Sequence, residues 1–224
     1  MKSVSDAVAE RWSCRAFKSD AVDEEQLHTL LGKALQAPSG GNVQPWRMVV
    51  LTGEAKDAVT PVVQGALFQN PKGEEGDYPV YPSGLQEPFR SRRFKVGEDL
   101  YASLDVPRED KQARFAWLAK NFEWFGAPVG IFFITQKNFG HGQFAHMGML
   151  MQTIALLADE AGLATCMQEA WGMARETLHT HLGLDENEVV YCGMELGHPN
   201  REAPVNSWRS DRAGLEEVVD FRGF

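Results

Sequence analysis

The chain has 224 residues, 43% hydrophobic and 24% charged, a balance that excludes a disordered or membrane-embedded class and allows one sizeable domain with its own core. Its formal charge of -9 argues against general nucleic-acid binding, which depends on Lys and Arg neutralising many phosphates. No apolar run approaches the roughly 20 residues of a membrane span, and the segment Met1 to Asp6 lacks the apolar core of a signal peptide, so a cytoplasmic protein is expected.

Taken in order, Ser3 to Arg11 reads as a short helix that runs into Arg11-Trp12-Ser13-Cys14-Arg15-Ala16-Phe17. Two guanidinium forks and a hydroxyl within five residues suit a phosphate or carboxylate, although a solvated basic turn has the same composition. Asp23 with Gln26 fits a capping box, and Leu27, Leu30, Leu31, Ala34 and Leu35 give the following helix one apolar face. Ala37-Pro38 stops it. Pro38 to Pro45 is a turn-rich loop whose glycines permit positive φ and close approach of the backbone to a ligand, and an ordinary helix-to-strand connection would read alike. Met48 to Leu51 is a continuous apolar run, which predicts a strand covered on both faces.

A helix is predicted over about 54–65, with Val59, Val62 and Val63 inward. From Gln69 to about Arg93, seven Pro and Gly residues prevent regular structure, and interspersed Tyr78, Tyr81 and Phe89 favour a lid over a plain solvated loop. Arg108 to Phe125 reads as one helix, with Phe115, Leu118, Phe122 and Phe125 toward core or lid, and Val129 to Thr135 as a buried central strand. Gly140-His141-Gly142-Gln143-Phe144-Ala145 matches the dinucleotide pattern G-x-G-x-x-A, but Asp159 and Glu160 lie in the same helical pattern with no second strand between, so the match is weak. The helix from His146 to about Ala161 is apolar nearly all round, which predicts a subunit interface. Arg175 to Leu182 is a helix whose His179 and His181 fall on different faces, and Glu188 to Leu196 is a third strand. Arg209 and Arg212 return basic charge to an acidic chain and could complete an anion site with Arg11 and Arg15. Cys14, Cys166 and Cys192 form no C-x-x-C pair and read as reduced, mostly structural thiols, and no metal site is predicted. No acid–base or nucleophile constellation stands out, as expected where a cofactor carries the chemistry.

Pro-Ser-Gly-Gly-Asn-Val-Gln-Pro-Trp at 38–46, with Arg-Trp-Ser-Cys-Arg-Ala-Phe at 11–17, closely resembles the FMN-dependent nitroreductase family, and the similarity covers most of the chain outside about 54–125. The closing Phe221-Arg222-Gly223-Phe224 is similar to the branch of nitrobenzoate and nitroaromatic-herbicide reductases. The resemblance implies an α+β fold, three-layer α/β/α, with a central mostly antiparallel mixed sheet flanked by helices. It implies a homodimer in which the strand 215–221 crosses to the partner subunit and both subunits build each FMN site. Residues 1–224 would form a single domain with a lid-like insertion at about 69–114. By match, Arg11, Trp12, Ser13, Arg15, Pro38, Ser39, Gly40, Asn42, Gln44, Gln168, Glu169, Ala170, Arg209 and Arg212 would hold FMN, with the backbone at Glu169 and Ala170 facing flavin N5; the family often has Gly where Ala170 stands. Tyr78, Tyr81, Phe89 and Arg93 of the lid would touch substrate. The implied activity is ping-pong reduction of nitroaromatics or quinones by NAD(P)H through FMN. Reductive dehalogenation, flavin breakdown and a non-enzymatic flavin carrier are the alternatives on this fold.

Overall fold

The computed structural model describes residues 2–74 and 81–224, so Tyr78 lies outside the described residues. Two short N-terminal helices, α1 (Val4–Glu10) and α2 (Glu24–Ala34), precede strand β1 (Arg47–Thr52). Helices α3 (Gly53–Asp57), α4 (Val59–Gln69), α5 (Phe89–Ser103) and α6 (Lys111–Ala119) follow, then β2 (Val129–Gln136), α7 (His141–Glu160), β3 (Ala164–Gln168), α8 (Arg175–Leu182), β4 (Glu188–Gly197) and the last turn α9 (Leu215–Val218). The strands form one sheet in the order β1-β2-β4-β3, antiparallel at every pairing, and Ser13 adds a parallel bridge to Thr165 at the β3 edge.

β2 and β4 are central, and their continuous apolar sequences follow from burial on both faces. On one face Ile131, Phe133 and Met194 pack against Leu27 and Leu30 of α2 and Met147, Leu150 and Ile154 of α7. On the other, Phe132 meets Trp12, Trp124, Trp171 and Leu178. Two strand glycines make room on this second face: a Cβ on Gly130 would lie 2.4 Å from the Trp124 ring, and one on Gly193 would lie 2.2 Å from Trp171. The two indoles sit with centroids 4.3 Å apart in the flat space so created.

Several expectations are corrected. β1 is an edge strand with Val50 37% exposed, so its apolar run does not mark burial on both faces. Leu35 and Val62 are exposed, while their neighbours Leu30, Ala34, Val59 and Val63 are buried as expected. The irregular stretch ends at Pro88, where α5 begins; the helix buries no residue, so its sequence carried no apolar period to detect. The single helix 108–125 breaks after Ala119 into a 3-10 segment, Lys120–Gly126, in which Trp124 and Phe125 adopt φ of 57° and 49°. Such conformations are costly for bulky residues, and here core packing of Phe122, Trp124 and Phe125 outweighs helix propensity. Phe115 and Leu118 are exposed. Residues 215–218 form a helical turn, and no strand is present in the tail among the described residues. α7 buries one side and leaves Met149 44% exposed. Gly140 is extended and caps α7, and the next strand, β3, runs antiparallel to β4, so the glycine pattern opens a helix and not a dinucleotide-binding βαβ unit.

A bidentate pair ties the outer sheet together: Arg47 donates from Nε and Nη2 to the two Glu188 oxygens, both at 2.7 Å. The Arg47 hydrogen bond holds the Glu188 carboxyl below its usual range. A depressed carboxylate contributes stability that is present above its unfolded pKa and lost as pH falls through the folded one. Because Arg47 is half exposed, Glu188→Gln is expected to cost only about 1 kcal/mol at pH 7. In urea titrations run down to pH 3, the gap between variant and parent should close; a pH-independent gap would mean that packing, not charge, accounts for it.

Candidate active site

The N-terminal basic segment is fixed by backbone bonds to distant parts of the chain. Cys14 N–H donates to the Thr165 carbonyl at 2.9 Å, and Arg15 N–H to Asn206 Oδ1 at 2.9 Å. Asn206, itself buried, donates in return to the carbonyls of Ala16 and Asn200 at 2.9 and 2.8 Å. This clamp brings residues 11–16 against the C-terminal segment and gathers Arg11, Arg201, Arg209 and Arg212. Arg209 lies 4.3 Å and Arg201 4.9 Å from the centroid of the Trp12 ring. Burial and the neighbouring Arg212 push the Arg11 pKa down, and burial with Arg201 does the same to Arg209. None of these guanidiniums, nor Arg15, forms an ion pair with a carboxylate among the described residues.

Three donors in the same segments, Arg11 Nε, Trp12 Nε1 and Trp208 Nε1, are buried without an acceptor among the described residues. Buried donors without acceptors are costly, and crowded cations are costlier; Asp159, the opposing charge near Arg11, already pairs with Lys2. A phosphate dianion, with its several acceptor oxygens, answers both deficits at once.

Arg15 also lines a cavity of about 1030 Å³ against the β3 end and the segment after it. It is lined by Gln168, Glu169 and Ala170, by Gly148 and Met151 of α7 and Tyr191 of β4, and by Tyr81, Arg93 and Lys72. The Arg93 guanidinium lies 3.9 Å from the centre of the Tyr81 ring. Glu74 also lines the cavity, but its carboxylate accepts the N–H groups of Glu176 and Thr177 and so caps α8. Glu169 is half buried, which raises its pKa, and Arg175 opposes that rise. Cys14 is pushed up to about 11 by burial, and Cys166 and Cys192 are pushed higher still, so all three free cysteines stay protonated.

The structure therefore brings Arg15, Gln168, Glu169, Ala170, Tyr81 and Arg93 to one cavity, and Arg11, Trp12, Arg209 and Arg212 to one adjoining cluster. Ser13 sits between them, bridged to Thr165. Phe89 is 59% exposed at the start of α5, one turn before Arg93, and does not line the cavity. Pro38, Ser39, Gly40, Asn42 and Gln44 do not line it either. Their loop is nevertheless highly ordered internally: Gly41, Asn42 and Gln44 take positive φ, Gln44 N–H donates to Ser39 Oγ at 2.9 Å, and Gly40 N–H donates to His146 Nε2 at 3.1 Å. Arg201, Asn206 and Asn121 were not singled out from the sequence. An asparagine carries no pattern of its own, but Arg201, eight residues before Arg209, was a visible basic signal.

The profile of the Nitroreductase family matches residues 8–198. This chain belongs to that family. It is 34% identical to the nitrobenzene nitroreductase of Ectopseudomonas oleovorans, over 97% of this chain and 96% of that one. It is 32% identical to the 4-nitrobenzoate reductase of Pseudomonas putida, over 97% and 94%. Among solved structures it matches the FMN and NADPH-dependent nitroreductase NfnB of Sphigopyxis sp. strain HMH with a TM-score of 0.96 and 44% identity, covering 99% of this chain and all of the other. The nitroreductase-like α+β fold is thus established for this chain.

Proposed function

We propose that this nitroreductase-family chain is an FMN-dependent enzyme that reduces nitroaromatic, or quinone-like, substrates with NAD(P)H. The observation that carries the reading is the junction of two features: a guanidinium cluster with unmatched buried donors, and a cavity of about 1030 Å³ that Arg15 of the same segment lines. A phosphorylated ring cofactor makes the same two demands, one for its anionic end and one for its ring. Hydride transfer from NAD(P)H to the nitro group, in ping-pong order, is the chemistry FMN supplies when bound. Arg11, Trp12, Ser13, Arg209 and Arg212 hold the phosphate end, and Arg15, Gln168, Glu169 and Ala170 the ring. Cationic Arg15 and the backbone donors of residues 168–170 favour negative charge on the ring, the logic of a preorganised anion hole. The named relatives favour nitro reduction over dehalogenation or flavin breakdown on this fold.

A homodimer accounts for two features. The ordered loop 38–44 stands apart from the cavity of its own chain, and in a dimer it completes the site of the other subunit. The side of α7 carrying exposed Met149 supplies an apolar surface for that contact. In the same arrangement the tail after Trp208 crosses to the partner. Residues 69–114 act as the lid of a single domain. No helix among the described residues is long and apolar enough to cross a membrane, and three unpaired cysteines suit a reducing, cytoplasmic setting.

The test is a visible spectrum of the purified protein, anaerobically, before and after NADPH and then 4-nitrobenzoate. Bleaching by NADPH and recolouring by the nitro compound are expected; a protein that binds no FMN on reconstitution refutes the reading. Arg93 should act on the carboxylate of such a substrate. Because Arg93 sits at the cavity mouth, Arg93→Ala is expected to raise KM for 4-nitrobenzoate by about five- to tenfold, with little change for uncharged nitrobenzene or in FMN content. Equal KM changes for both substrates would remove Arg93 from this role.

A further inference from the structure

A line of side chains runs from the cavity into the core. Asn121, on the cavity wall, donates from Nδ2 to the Leu118 carbonyl at 2.7 Å, and its Oδ1 accepts Gln168 Nε2 at 2.7 Å. Gln168, 4% exposed, accepts the Trp171 indole N–H on Oε1 at 3.0 Å. The same N–H also approaches Oε1 of fully buried Glu195, at 3.3 Å, and Glu195 Oε2 has no partner among the described residues. Burial pushes the Glu195 carboxyl well above its usual range. Of the two contacts of the indole hydrogen, the one with Gln168 is the shorter.

These bonds determine both amide orientations. An indole N–H can only donate, so the Gln168 oxygen must face it and the Gln168 nitrogen must face Asn121. That nitrogen in turn needs the Asn121 oxygen, which leaves the Asn121 nitrogen to Leu118. Each oxygen accepts one bond inside the wall and each nitrogen donates one. One N–H on each nitrogen and one lone pair on each oxygen stay beyond those bonds, so the pair can offer both donors and acceptors. Such a pair fits the edge of a flat heteroaromatic ring that carries acceptors and a donor together.

We propose that Asn121 is a further contact for the ring end of the bound flavin and that Trp171 is the positioning residue that locks the orientation of the Gln168–Asn121 pair. This rests on the FMN reading above. Apoprotein should be titrated with riboflavin, which has the ring without the phosphate, and with FMN. Asn121→Ala and Trp171→Phe are expected to weaken both ligands by the same factor, about three- to tenfold for one neutral hydrogen bond, and to shift the visible band of the bound flavin. Asn121→Asp keeps the shape but loses the donors, so it should lose affinity as Asn121→Ala does and lower the midpoint potential of the bound flavin. Glu195→Gln, neutral at every pH, should keep riboflavin affinity. Arg209→Ala should weaken FMN alone. Circular dichroism melts check that each variant is folded, and should Trp171→Phe not fold, the two Asn121 variants decide. If the parent binds FMN and riboflavin but both Asn121 variants match it, this proposal falls and the FMN reading stands. If the parent binds neither flavin, both fall.

Discussion

Exchanging Arg11 and Arg209 for alanine in one variant is expected to lower FMN affinity by about a hundredfold or more. Hydrogen bonds to a charged partner contribute about 1.5–3 kcal/mol each, and every 1.4 kcal/mol is tenfold. Arg11 is half-buried and Arg209 partly exposed, so the lower end of that range applies, and two such bonds give about 3 kcal/mol. The same change removes two crowded cations whose pKa values are lowered, first by burial and then by Arg212 beside Arg11 and Arg201 beside Arg209. The apoprotein should therefore melt no lower than the parent while its FMN affinity collapses. Flavin fluorescence quenching and an apoprotein melting curve read the two effects, and FMN binding by the parent should weaken with added salt. A variant that still retains FMN tightly would move the phosphate site elsewhere.

Adding one methyl group at Gly193 is expected to destabilise the fold more than most deletions do. The new Cβ would stand 2.2 Å from Trp171, whose ring is fixed against Trp124 on one side and meets Phe122 and Phe132 edge-on. Trp171 is fully buried, so making room for the methyl group means displacing packed neighbours. Overpacking of this kind costs about 3 kcal/mol, or a fall of roughly 6–12 °C in Tm for a chain of this size. Gly97 supplies the opposite case: nothing lies within 4 Å of a Cβ there, and it sits inside α5. Gly97→Ala should raise stability by about 0.5–1 kcal/mol. Equal effects at the two positions would show that the sheet face is less rigid than its contacts imply.

What could be read from the sequence followed from whether a residue's role left a local mark. The face of α2 and the buried β2 run were readable because period and composition report burial directly, and Leu35 failed only because the helix ends beneath it. Met48 to Leu51 misled, since an apolar run does not distinguish a central strand from an edge strand awaiting cover. Helix α5 was invisible for the converse reason, having no buried face. The Trp124–Phe125 kink packs Trp124 against Gly130, in the next strand, and against Trp171, remote in sequence. At the site, the arginines of 11–15 and 209–212 stood out against an acidic chain. Asn206, Asn121 and Glu195 did not, because their importance lies in partners 24 to 191 positions away, beyond any local window.

The strand order β1-β2-β4-β3 has a consequence for synthesis. β4 lies between two strands that precede it in the chain, so neither β2 nor β3 can fill its inner edge until residue 197 has left the ribosome. From residue 136 until β4 is complete at residue 197, a nascent chain carrying the apolar β2 segment has only β1 to pair with. Non-local pairing of this kind slows folding and leaves sticky edges in the open. Expression should therefore depend steeply on temperature and on chaperone capacity, and truncation before β4 should send the product to the insoluble fraction rather than yield a smaller folded core.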